Sequence, residues 1–392
     1  MKSSNKSNSK SDIGNIYSFL YEIQKSNDHS YSYLSGKWND YKQWQVMAKA
    51  KVFELMNYFP REVPLNSRII QCIDRGTHRQ EEIEFDTAPN VSVRATILIP
   101  NMDKRSYPTV VALHDHGGFY YFGRKKIVEV DDEQLLLKEF KRKSYGGMSW
   151  ASELVKRGYI TFIIDAFYFG SRRLRLEDVS EEAFSWIVPD NLRDLSSNSE
   201  EYIETYNKIC WHFEHLVFRH ILISGTTWPG ILFHDDRRAI DYLYTRPEVD
   251  KSRIACCGLS VGGARSALLS ALDSRIKCGI VVGWMATLSS LLLNRIKCHT
   301  FMLYIPNLTR YMDLPDVMSI FAPKPLLVQQ CSRDTLYTLE AMNKACETIS
   351  SVYKKIGHEK CFEYRFYDNG HEFNAIMQEE AFTFLDRWLK AV

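Results

Sequence analysis

The chain has 392 residues, 45% of them hydrophobic, enough to bury a large core with residues to spare beyond one domain. Its 50 basic and 48 acidic side chains leave a formal net charge of +2, which gives no electrostatic reason to expect nucleic acid or an anionic membrane as partner. Nine cysteines, odd in number and without framework spacing, read as reduced thiols in a cytoplasmic protein.

Residues 1–15 are rich in Ser, Asn and Lys, with no apolar stretch that fits a signal peptide or a membrane span. Up to about Asp28 the chain reads as a polar tail with a short apolar patch at Ile16 to Ile23. Between Trp38 and Phe59, the apolar positions Trp44, Met47, Ala48, Val52, Leu55, Met56 and Phe59 recur at i, i+3, i+4 spacing. They predict an amphipathic helix ending before Pro60. Residues 1–80 thus form a tail and helical extension, whose stripe must pack on the rest of the chain or on a second copy in a homo-oligomer.

From residue 81 to 392 the pattern is that of one α/β domain. Ile83 to Phe85 and Val91 to Ile99 read as antiparallel strands joined through Ala88, Pro89 and Asn90. The apolar strand Thr109 to Leu113 runs into His114-Asp115-His116-Gly117-Gly118-Phe119, a glycine-rich loop that can turn backbone N–H groups toward one point. Ile160 to Ile164 is another buried strand and ends at Asp165, a carboxylate that reads as structural or pocket-shaping. Residues 170–230 form an insertion with a charged stretch, Arg172 to Asp178, and an aromatic, histidine-rich segment, Cys210 to His215. At the C-terminal edge of a sheet, such a piece can serve as a lid or a pocket wall.

The most telling segment is Cys256-Cys257-Gly258-Leu259-Ser260-Val261-Gly262-Gly263. It follows the apolar run Arg253 to Cys257 and opens a helical pattern through Ala264, Ala267, Leu268, Ala271 and Leu272. A serine hydroxyl near its free pKa is a poor nucleophile, so the chemistry needs it exposed on a tight strand-to-helix turn beside a base and backbone donors. Downstream, the buried strand Lys324 to Gln330 is followed by Asp334, and the alternating strand Phe362 to Tyr367 by His371. Nucleophile, acid and base come in the order Ser260, Asp334, His371, each just beyond a strand, where ligands collect in open α/β sheets. His358, the rival base, lies in a charged helix end. Cys256 and Cys257 read as packing residues of a core strand. His114 and His116 lack the Asp-His partners a metal site would need, since positions 119 and 120 are Phe and Tyr, so no metal is expected.

Together, His114 to Gly118, Gly258 to Gly263, Asp334 and His371 resemble the α/β-hydrolase superfamily. The His-Asp-His-Gly-Gly loop and Asp165 to Gly170 are similar to its dienelactone-hydrolase-like and acetyl-xylan-esterase-like branch. The resemblance implies a mostly parallel central sheet with helices on both faces. It also implies a serine hydrolase that cleaves a carboxylic ester, acetyl or other small acyl, or a lactone, through an acyl-enzyme. Dienelactone hydrolases proper use a cysteine; Ser260 points instead to ordinary ester hydrolysis. In this reading Ser260 attacks, His371 is the base and Asp334 orients it. Backbone N–H groups of Val261 and of His116 or Gly117 hold the oxyanion. Phe119, Tyr120, Trp284 and Arg172 line the pocket, with Arg172 able to meet a substrate carboxylate. No cofactor is needed, and the partner is a small-molecule ester. An acyltransferase would share the same residues. A serine peptidase of the prolyl-oligopeptidase kind would need a β-propeller, for which the roughly 80 residues before the sheet leave no room. A non-catalytic binding protein is weakened by the complete constellation.

Overall fold

The computed structural model describes residues 16–102, 104–180, 192, 195–292 and 295–390; the polar tail expected over residues 1–15 lies outside them. Nine strands form one sheet: β1 (Arg68–Asp74), β2 (His78–Ala88), β3 (Val91–Pro100), β4 (Tyr107–Leu113), β5 (Ile160–Ile164), β6 (Val249–Leu259), β7 (Cys278–Val282), β8 (Leu326–Cys331) and β9 (Phe362–Tyr367). Their order is β1-β2-β3-β5-β4-β6-β7-β8-β9. The first three strands are an antiparallel meander, β3 is antiparallel to β5, and from β5 onward every neighbour is parallel. The expected strands appear within a few residues of their predicted ends.

One boundary is corrected. The sheet starts at Arg68, not at residue 81, because Arg68–Asp74 pairs with β2 along its length. This edge strand leaves all its residues but Ile73 exposed, so it has no buried face and no alternating pattern to betray it.

Parallel strands covered on both faces read as continuous apolar runs, and β4, β5, β7 and β8 are buried at every position. Successive side chains of β4 serve opposite cores: Val111 and Leu113 join one cluster with Ile254, Leu268 and Val352, while Val110 and Ala112 join Trp150, Leu154 and Leu385 on the other face.

The extension helix runs Tyr41–Met56, capped at its start by Asp40 and stopped by Asn57 in the left-handed conformation. Trp44, Ala48, Val52 and Met56 repeat every fourth residue and are buried in the first of those clusters. The Tyr41 hydroxyl donates to the carbonyls of Ser319 (2.9 Å) and Ala322 (2.7 Å). These four positions are therefore buried on their own chain, whereas Met47 and Phe59 of the expected stripe are exposed. Among the described residues no helix is long and apolar enough to cross a membrane. All nine cysteines are unpaired.

Candidate active site

The parallel strands deliver their C-terminal ends side by side, and the candidate residues follow them: the His114–Gly118 loop after β4, Ser260 after β6, Gly283 after β7, Asp334 after β8, His371 after β9. Ser260 joins β6 directly to the helix Val261–Leu272, with φ 60° and ψ −123°. A side chain held there stores strain of about 1–3 kcal/mol, which the surroundings must over-determine. They do so in two ways. The Ser260 N–H donates to the Val282 carbonyl at 2.9 Å, and its own carbonyl accepts from Ala264 at 2.9 Å. The two elbow glycines also let backbones touch: a Cβ at Gly262 would lie 2.1 Å from the Leu113 carbonyl oxygen, and one at Gly258 would lie 2.5 Å from the backbone of Gly262.

His371 Nδ1 lies 2.6 Å from Asp334 Oδ2. The other carboxylate oxygen, Oδ1, accepts from the Leu336 N–H at 2.8 Å, so both oxygens are engaged. The imidazole sits against Gly283, where a Cβ would come within 3.1 Å of Cε1 and 3.2 Å of Nδ1. Gly283 follows Val282, whose carbonyl holds the Ser260 N–H, so nucleophile and imidazole flank the end of the same strand. Among the described residues, His371 Nε2 is buried without a hydrogen-bond partner, and Ser260 Oγ is not bonded to it. His358 is exposed and precedes β9, at the end of that strand opposite to His371.

The loop after β4 is held from beneath and from the side. Lys126 is fully buried, and its ammonium donates to the carbonyls of Asp115 (2.8 Å) and His116 (2.9 Å). Burial pulls that ammonium down to about 8, against the opposing pull of Asp115 and Asp165. Gly117 and Gly118 have φ +55° and +67°, and a Cβ at Gly117 would collide with Asp115 and Phe140. Among the described residues the N–H groups of His116, Gly117 and Val261 have no acceptor. His114 is consumed structurally: Nδ1 donates to the Asp115 carbonyl at 2.9 Å and Nε2 accepts from Ala166 at 3.1 Å, so it has no lone pair for a metal. Burial, with Lys126 and Arg265 nearby, keeps its pKa well below the usual histidine value.

Other expected residues are placed differently. Arg172 donates to Asp235 at 2.6 Å, so its charge is spent inside the protein and is not offered to a substrate. Tyr120 is fully buried, stacked on Phe169, with its hydroxyl on Glu214 at 2.8 Å, so its polar end is spent inside the protein. Phe119 packs on Phe122 and Phe140, and Trp284 meets Tyr337 edge-on; both are buried. Asp165 is tied by Arg124 and by the Ser171 hydroxyl (2.7 Å), as a structural carboxylate would be.

Sequence reasoning missed Glu214, Lys126 and Gly283. Lys126 sits in a basic run, Arg124-Lys125-Lys126, with no local signal that one of the three is buried. Glu214 was visible only as one charge within an aromatic segment. The helix that carries it, Glu200–Ile223, lies in a third buried cluster with Tyr120, Phe169 and Val261, so this part of the insertion is built into the site's wall.

The fold is that of the α/β hydrolases. Residues 4–192 match the Abhydrolase family, and residues 237–387 match "Platelet-activating factor acetylhydrolase, isoform II". The chain is 25% identical over 342 residues to "Putative hydrolase YtaP" of Bacillus subtilis (strain 168), covering 87% of this chain and 98% of that one. Among solved structures it resembles a "putative acetyl xylan esterase" from Bacteroides fragilis NCTC 9343, with TM-score 0.69, 16% identity and coverage of 93% of this chain and 85% of the other. A glucuronoyl esterase from Solibacter usitatus follows, with TM-score 0.61, 12% identity and coverage of 91% and 96%.

Proposed function

We propose that the protein is a serine hydrolase of small carboxylic esters, acting through an acyl-enzyme. The observation that carries this reading is the strained backbone of Ser260 beside an imidazole whose Nδ1 is 2.6 Å from a fully buried carboxylate side chain. Asp334, fixed by the Leu336 N–H, accepts from Nδ1–H and so leaves Nε2 unprotonated to take the proton of Ser260. The hydroxyl attacks the ester carbonyl. The developing oxyanion meets N–H groups of Val261 and of His116 or Gly117, each such donor lowering the barrier by about 3 kcal/mol. The imidazolium returns its proton to the departing alcohol, and water repeats the cycle to free the acid. Histidine serves both directions because its unperturbed pKa is about 6.5.

A short acyl group suits the site. Ser260 is only 8% exposed, a setting that favours a small acyl group over a bulky one. The word acetylhydrolase in the description of the matched family and acetyl xylan esterase in that of the similar structure agree with that choice. The test is a panel of p-nitrophenyl esters of rising acyl length, with labelling of the nucleophile by a fluorophosphonate. We expect labelling at Ser260, turnover that falls from acetate to longer chains, and none for Ser260→Ala. Undiminished turnover by S260A overturns the reading.

A further inference from the structure

Glu214 is the one carboxylate of the insertion helix that is both buried and aimed at the loop after β4. His116 Nε2 lies 2.6 Å from its Oε1, the Tyr120 hydroxyl donates to the same oxygen at 2.8 Å, and Thr300 Oγ1 lies 3.0 Å from Oε1 and 2.9 Å from Oε2. Burial would raise this carboxyl, but His116 and the two hydroxyls outweigh it and keep it ionised. The other ring nitrogen, His116 Nδ1, accepts the N–H of Gly118 at 3.0 Å. An accepting Nδ1 carries no proton, so the proton of the neutral ring is on Nε2 and points at Glu214. One continuous chain thus runs from a carboxylate on the insertion, through an imidazole of fixed tautomer, to the backbone of a glycine at φ +67°.

We propose that Glu214 is a positioning residue: acting through His116, it fixes the loop whose backbone N–H groups receive the oxyanion, and so makes the rate of acyl transfer depend on the insertion helix. The proposal rests on the esterase reading above. Its physical basis is that a loop with two consecutive left-handed glycines has many backbone states open to it, and a donor contributes to the transition state only when its direction is set beforehand. The His116 ring removes that freedom by bonding to its own loop. Glu214 removes the freedom of the ring, which would otherwise rotate or change tautomer. Phe169 and Tyr120, edge-on to His116 with ring centroids 5.3 and 4.9 Å away, close its remaining sides.

Glu214→Gln preserves shape but offers a weaker acceptor to His116 and Tyr120. His116→Asn keeps an oxygen for the Gly118 N–H while giving up the reach to Glu214. With active sites counted by fluorophosphonate titration, E214Q should lower kcat on the order of tenfold, less than the hundredfold or more that outright loss of an oxyanion donor costs. KM should stay the same. The inhibition constant of a trifluoromethyl ketone, whose adduct places an oxyanion in the same site, should rise in parallel with the loss of kcat. In the H116N background, E214Q should add no further loss, because its route to the loop is already cut. If E214Q does not fold, Thr300→Val takes its place: it keeps the carboxylate, removes the hydroxyl that fixes it from the far side, and should lower kcat about threefold by the same route. A merely structural Glu214 would lower Tm and the titratable fraction while leaving kcat per site and the ketone affinity unchanged; that result, or additive losses in the double variant, overturns the proposal. Failure of the esterase reading shows separately, as undiminished turnover by S260A, and takes this proposal with it.

Discussion

Asp334→Asn makes the sharpest test of the triad, because the structure fixes which way the new amide must turn. Oδ1 of Asp334 accepts the Leu336 N–H at 2.8 Å, a donor that cannot become an acceptor. In the variant the amide oxygen must keep that place, which directs the NH2 group at His371 Nδ1. A donor facing Nδ1 forces the ring into the tautomer with its proton on Nε2, where it cannot accept the proton of Ser260. Loss of the correct tautomer at an otherwise intact triad costs about four orders of magnitude in kcat, about 5.5 kcal/mol at 1.36 kcal/mol per tenfold. The fold should be nearly indifferent, since the amide is isosteric and the Leu336 bond survives, so Tm should stay within a few degrees. The assay is initial-rate hydrolysis of p-nitrophenyl acetate at pH 7 to 8, with thermal unfolding followed by circular dichroism. A kcat within tenfold of the parent at unchanged Tm would refute the reasoning.

Gly283→Ala should impair both stability and rate: φ +58° costs a side chain about 1–2 kcal/mol, and the new methyl would press on Cε1 and Nδ1 of His371 from 3.1 and 3.2 Å. A ring displaced by a few tenths of an ångström should lower kcat severalfold, read from kcat/KM alongside Tm; an unchanged kcat would place the imidazole elsewhere. Arg265 and Asp236, both buried, pair at 2.6 and 2.9 Å and tie the elbow helix to the helix Trp228–Thr245. Arg265→Met leaves Asp236, whose pKa burial already raises against the pull of Arg265, without its counter-charge. Chemical denaturation should show a loss of about 3–5 kcal/mol, most of it recovered by adding Asp236→Leu; equal stability of the single and double variants would count against a buried pair.

Much of the site was legible from the sequence because its signals are local. A glycine-flanked serine between an apolar run and a helical pattern can hardly be anything but a sharp turn, and the structure puts Ser260 there at φ 60°. The runs at 160–164 and 362–367 became β5 and β9 with the same ends. The Trp44, Ala48, Val52 stripe declared a buried helix face, though not what would bury it. What the sequence could not supply was the partner of each polar side chain. Arg172 looked free and pairs with Asp235, 63 positions away in sequence; Tyr120 looked like a pocket wall and is spent on Glu214, 94 positions away.

By itself, then, the chain dictated most of its strands, the extension helix and the elbow with the helix after it, since periodicity and turn chemistry depend on neighbours a few residues apart. Only the tertiary structure decided that β1 joins the sheet, that Lys126 is buried under the loop after β4, and that Glu214 reaches it from the side. Those outcomes turn on which surfaces are pressed together once the layers close. A buried charge must then find its hydrogen-bond partner among whatever the rest of the fold brings within about 3 Å.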